Sequence, residues 1–192
     1  MIARRSLLLA IGLTLLAACS STPPAPPVPA FDARAAVAAI RATGGAASSE
    51  LDVQPLRDTQ AEDLREDAQR LEREGKVPEA ATALDQALAI TPDDPALLQE
   101  RAEASLLLQQ PDSAEQFARR AIALGAQVGP LCRRHWETVA QATQMRGHYA
   151  QAAGRGEEAA AQAAAEASAR KTTIDQARQK RDACTVAAPP RY

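Results

Sequence analysis

The chain has 192 residues, 22 of them Lys or Arg and 24 Asp or Glu, and it is 46% hydrophobic but only 3% aromatic. A net charge of −2 without a broad basic field removes the electrostatic footprint that nucleic-acid binding needs. The hydrophobic fraction is largely alanine, and so thin a core suits closely stacked helices better than a β-sandwich, which draws on β-branched and aromatic residues.

The chain opens with Arg4 and Arg5, then runs apolar from Leu7 to Ala18 apart from Gly12 and Thr14. This is the layout of a secretory signal, and it falls short of the roughly 20 apolar residues of a spanning helix. Leu16-Ala17-Ala18-Cys19 resembles the lipobox of bacterial lipoproteins. The resemblance implies that residues 1–18 are removed and that Cys19 carries a diacylglyceryl thioether and an acylated amine, palmitate being the usual kind of chain. Several acyl chains, at about 0.8 kcal/mol per buried methylene, make a lasting membrane anchor. With Ser20 rather than Asp after the cysteine, the resemblance further implies the periplasmic face of the outer membrane. An ordinary cleaved signal, an uncleaved anchor and a twin-arginine signal are the alternatives. Loss of residues 1–18 leaves 20 basic against 24 acidic residues.

Residues 19–60 follow as a lipidated cysteine, a tether and an irregular segment. Ser20 to Ala30 (SSTPPAPPVPA) predicts a polyproline II spacer, about 30 Å long at ~3.1 Å per residue. Asp32 to Ala42 predicts a short helix with Asp32 as N-cap, ended by Gly44-Gly45. Ala46 to Thr59 reads as irregular, with Leu51, Val53 and Leu56 available to fold back onto that helix.

From Ala61 a 34-residue period appears. With Ala61 as position 1, Leu64 takes position 4, Ala68 8, Leu71 11, Gly75 15, Ala80 20, Leu84 24, Ala87 27 and Pro92 32. A second unit from Pro95 keeps Leu98, Ala102, Ala114, Ala121 and Leu124 at matching places, with Ser105 and Ala118 as weaker matches. Alanine fits where helices approach most closely, glycine where the chain turns, and proline where a helix ends. Pro111 and Asp112 read as turn and cap before a helix Ser113 to Leu124, which Gly125 ends. This pattern is similar to the tetratricopeptide repeat.

Residues 129–184 form a divergent third hairpin. Gly129-Pro130 leads into a helix from Leu131 to about Met145 or beyond, with Trp136 and Val139 at positions 8 and 11. Gly147 or Gly154-Arg155-Gly156 turns the chain, and Glu157 to about Ala183 is a long polar helix of the kind that caps a repeat array. Residues 185–192 are a tail. In an exported, oxidising compartment Cys132 and Cys184 are expected to pair, since one opens a helix and the other closes its antiparallel neighbour. Two unpaired thiols, and more weakly a metal site with His135, are the alternatives.

The fold expected is therefore all-α: a short tetratricopeptide-like solenoid of about two and a half repeats with a long C-terminal helix, behind a signal peptide and a Pro-rich linker. The resemblance covers residues 61–153 and implies a right-handed superhelix whose first helices line a concave groove for partner peptides or helices. Carried onto this sequence, the groove positions are Glu62, Arg65, Gln69, Glu72 and Arg73 in the first unit. They are Gln99, Glu103, Leu106 and Leu107 in the second, and Arg133, Glu137 and Gln141 in the third. Their mixed signs predict a polar groove, and the Lys and Asn set of chaperone-tail carboxylate clamps is absent. No nucleophile, base and orienting group converge, so neither an enzyme nor a cofactor or metal is expected. The function expected is a scaffold or adaptor for another envelope protein. Secretion and pilus assembly, outer-membrane protein insertion, and peptidoglycan synthesis or remodelling are the settings the resemblance suggests. A self-associating structural lipoprotein and an accessory regulator of a cell-wall hydrolase are the rivals.

Overall fold

The computed structural model describes residues 30–45, 58–152 and 160–185, and those residues form seven helices and no strand. The signal, Cys19, most of the Pro-rich tether, residues 46–57 and the tail beyond 185 lie outside the described residues, as does the turn at 153–159.

Helix α1 (Ala33–Gly44) starts where Asp32 accepts a hydrogen bond from the Ala35 amide at 2.9 Å. Its spacing puts Ala33, Ala36, Val37 and Ile40 on one buried face. Helix α2 (Thr59–Arg73) begins two residues ahead of Ala61 because Asp58 caps it, accepting from the amides of Gln60 and Ala61. Helix α3 (Val77–Ile90) carries Pro78 in its first turn, where a missing N–H costs nothing. Helix α4 (Pro95–Leu107) is capped by Asp94, and helix α5 (Pro111–Leu124) runs up to Gly125. The α5 boundary corrects one expectation: the helix starts at Pro111, and Asp112 sits within its first turn instead of capping it. Helices α6 (Pro130–Ala152) and α7 (Ala160–Ala183) are far longer, and α6 passes through Gly147 without turning.

The first two hairpins turn on the same hydrogen bonds. In the first, the Lys76 amide donates to Leu71 and the Gly75 amide to Glu72, with Gly75 at φ 79°. In the second, Gln110 donates to Ser105 and Gln109 to Leu106, with Gln109 at φ 61°. Both are Schellman closures, which place the residue after the C-cap in the left-handed region. Glycine takes that conformation freely; Gln109 takes it at a cost of roughly 1–2 kcal/mol.

Hairpins α2/α3, α4/α5 and α6/α7 stack in chain order, α3 against α4 and α5 against α6. The alanines at the close-approach positions, Ala68, Ala80, Ala87, Ala102, Ala114 and Ala121, are all buried. One core cluster joins α2, α3 and α4 around Ala68, Leu84 and Leu97; another joins α4 to α7 around Ala102, Ala118, Val139 and Ala177. A third holds α1 to the array: Ala33, Val37 and Ile40 pack on Leu106, Ala114, Ala142 and Met145. Cys132 and Cys184 are joined by a disulfide with Cα atoms 5.8 Å apart, and the Gly129 amide donates to the Cys184 carbonyl at 2.7 Å. The mouth of the third hairpin is thus closed covalently.

Candidate functional site

Helix α1 lies across much of the face lined by the first helices of the three hairpins, where the groove residues were expected. Its apolar stripe covers α4 and α6, and its C-terminal end reaches back toward α2. Beneath it the floor is polar. Glu103 has no exposed surface, and its carboxylate is filled by three partners. Arg41 Nε donates to Oε2 at 2.7 Å, Arg134 Nη2 to Oε1 at 2.6 Å, and Gln99 Nε2 to Oε1 at 2.8 Å. A buried carboxylate is tolerated only when its lone pairs are satisfied in this way. Gln99 Nε2 also donates to Thr138 Oγ1 at 2.8 Å, which leaves Gln99 Oε1 to accept from His135 Nδ1 at 2.7 Å. That fixes the imidazole as the Nδ1–H tautomer, with Nε2 buried and unpartnered beside Gly125. Burial first, and the Arg134 charge second, push the His135 pKa down to about 3.

Arg41 joins the two ends of the face. Besides Glu103 it holds Glu72 of α2 in a bidentate pair at 2.8 and 2.9 Å, and that hydrogen bond is the main reason its pKa is raised. Beyond the end of α1 the described residues leave a cleft of about 470 Å³ at the first repeat, lined by Arg41, Arg65, Gln69, Glu72, Arg73, Glu100 and Arg134. Arg65 is held by Glu100 at 2.6 Å and Glu62 at 2.8 Å, and Gln69 lies 3.5 Å from Glu100. Arg73 is exposed and has no ion-pair partner among the described residues.

The residues expected to share one open groove are therefore divided. Arg65, Gln69 and Arg73 line the cleft together. Gln99 and Glu103 do not reach its surface, because α1 covers them and they are consumed in the floor. Arg133 is 4% exposed and spends its Nε on the Thr43 carbonyl at the end of α1. Glu137 is 3% exposed and faces α7, where Arg181 Nη1 lies 2.6 Å from its Oε2, and Gln141 is its neighbour on α6. Three polar cleft residues lie outside the expected set: Arg41, on a helix whose apolar stripe called for a partner, and Glu100 and Arg134, each one residue past a groove position, Gln99 and Arg133.

The disulfide occupies both thiols, so neither Cys132 nor Cys184 serves as a nucleophile or metal ligand in this state. Among the described residues no three His, Cys, Asp or Glu side chains gather as metal ligands, and no helix is long and apolar enough to cross a membrane.

The tetratricopeptide-repeat family model matches residues 71–133, from the end of α2 to the start of α6. Among solved structures, the chain is similar to the globular C-terminal domain of P. aeruginosa LpoP: 27% identity, a TM-score of 0.49, and coverage of 66% of this chain and 99% of that one. No curated protein matches.

Proposed function

We propose that this chain is a non-catalytic interaction scaffold, tethered through lipid on Cys19 to the periplasmic face of the outer membrane, that takes a segment of another envelope protein at its repeat groove. The cleft of the first repeat carries this reading, because it presents Arg73, which has no ion-pair partner among the described residues, beside Arg65 and Gln69, while α1 packs over α4 and α6. A repeat matched at residues 71–133 supports a protein partner over a small molecule. The cleft's guanidinium groups favour a segment that offers carboxylates or backbone carbonyls, recognised by charge-assisted hydrogen bonds. Its modest size suits a short segment, or one helix end, and not an extended peptide along all three repeats.

Two variants of the full-length protein test this by affinity recovery from detergent-solubilised envelopes. Arg65→Glu with Arg73→Glu is expected to lower recovery of the partner at least tenfold with unchanged helicity, since reversal sets two carboxylates against a site that has no spare cation. Cys19→Ser is expected to move the protein out of the membrane fraction. Undiminished recovery from the double variant would remove the cleft from the function, and membrane retention of Cys19→Ser would remove the lipid anchor.

A further inference from the structure

We infer that the face between α4 and α6 is a binding site for an amphipathic helix of small apolar residues followed by an arginine, that α1 is its resident occupant, and that a partner helix of the same pattern displaces it. This deepens the reading of the groove as a partner surface.

The first observation is how α1 is held. It contacts the array in the way a docked helix does, by a single stripe at spacing i, i+3, i+4, i+7, namely Ala33, Ala36, Val37 and Ile40. Only Val37 and Ile40 are large, at 3% and 0% exposure. The polar half of the contact consists of Arg41 on Glu103 and Glu72 and Arg133 on the Thr43 carbonyl. Surfaces that release and rebind are mixed in this way, whereas permanent ones resemble an apolar core.

The second is what α1 leaves behind. Of the three core clusters, those around Leu84 and around Val139 contain no α1 residue. The hairpins pack on one another through those clusters too, so part of their stacking is independent of α1, and its departure uncovers Leu106, Ala114, Ala142 and Met145 as the apolar floor that another helix would cover. Once α1 lifts away, Glu103 keeps Arg134 and Gln99 as partners and gains water, so its carboxylate is not stranded. A helix of 12 residues has little stability alone, so α1 is ordered by docking.

The third is register. Arg41 follows Ile40 and reaches both Glu103 and Glu72, so the site reads an apolar i, i+3, i+4, i+7 stripe with an arginine one residue past its end. Being part of the chain, α1 faces its own groove at an effective concentration in the millimolar range. An external helix competes against that concentration.

The test uses full-length protein in detergent and a fluorescent peptide of residues 30–45 (AFDARAAVAAIRATGG) as probe, so it does not depend on the envelope partner. Ile40→Asp in the protein should free the groove, and the peptide should bind this variant at least tenfold more tightly than wild type. A peptide that itself carries Ile40→Asp should not bind. Arg41→Glu in the protein, a milder change, should give intermediate affinity. Ile40→Asp should lower helicity by about one short helix, with the remainder still melting cooperatively. Equal binding to wild type and both variants, absence of binding to all three, or collapse of the whole fold in Ile40→Asp would each overturn the inference. A positive peptide result with no effect of Arg65→Glu/Arg73→Glu on partner recovery would keep the helix site and refute the cleft.

Discussion

Replacing Cys132 and Cys184 together by alanine is expected to lower the free energy of unfolding by about 4 kcal/mol, read by urea titration of Trp136 fluorescence. The cross-link joins residues 52 apart in sequence, and closing a loop of that length in the unfolded chain costs about 4 kcal/mol by the chain-entropy model, within an observed range of ~2–5. The site makes the effect local. The bond ties the first turn of α6 to the residue after α7, and α7 meets the core chiefly through Ala177 and Ile174, most of its other described side chains, alanines and polar residues alike, being exposed. Without the cross-link, α7 is held in the core by the buried Ala177 and the partly buried Ile174, so the third hairpin should open before the first two. Trp136, in α6 and the only tryptophan, reports on that hairpin directly. Wild-type protein in reductant should fall to the stability of the double variant, and the double variant should not respond to reductant. A loss under about 1 kcal/mol would show that packing and the Glu137 to Arg181 ion pair hold the hairpin unaided.

A second large effect is expected on acidification. His135 is neutral in the folded state, its pKa held at about 3, while an exposed histidine in the unfolded chain titrates near 6.5. A depressed folded pKa means that this contribution is fully present above about 6.5 and is lost as pH falls from there toward 3. Between pH 7 and pH 5 the loss from this one group amounts to about 2 kcal/mol. Structurally, protonation would place a second cation beside Arg134 with no acceptor facing Nε2. His135→Gln should flatten the stability profile between pH 7 and 5, at the cost of whatever the imidazole contributes to packing. Equal slopes in wild type and variant would mean that the ring finds water or an acceptor on protonation.

Much of the array was legible because close helix contact leaves little choice of residue. Alanine at positions 68, 80, 87, 102, 114 and 121 specified where helices meet, and all six are buried there. Gly75 signalled a left-handed turn; its counterpart Gln109 gave no such signal, yet the backbone repeats. The candidate site was harder to read, because groove positions tell which side of a helix faces inward and not what covers it. Gln99 and Glu103 looked like accessible polar residues. Their burial depends on Arg41, which lies 62 residues before Glu103. Glu137 occupies a groove position by count, but the 24-residue α7 extends far enough to bring Arg178 and Arg181 alongside it. Local spacing carries no information about either partner. The apolar stripe of α1 did carry one: a helix with Val37 and Ile40 on one face needs a surface to cover them.

The central claim is that the chain acts by presenting the face lined by α2, α4 and α6 to another protein. Photo-crosslinking in intact cells reads it most directly, with a photoreactive residue at Gln69 in the cleft and, as control, at Thr82 on the exposed side of α3. The account predicts one envelope protein attached through residue 69 and little or none through residue 82. Adducts of equal yield from both positions, or from residue 82 alone, would contradict it.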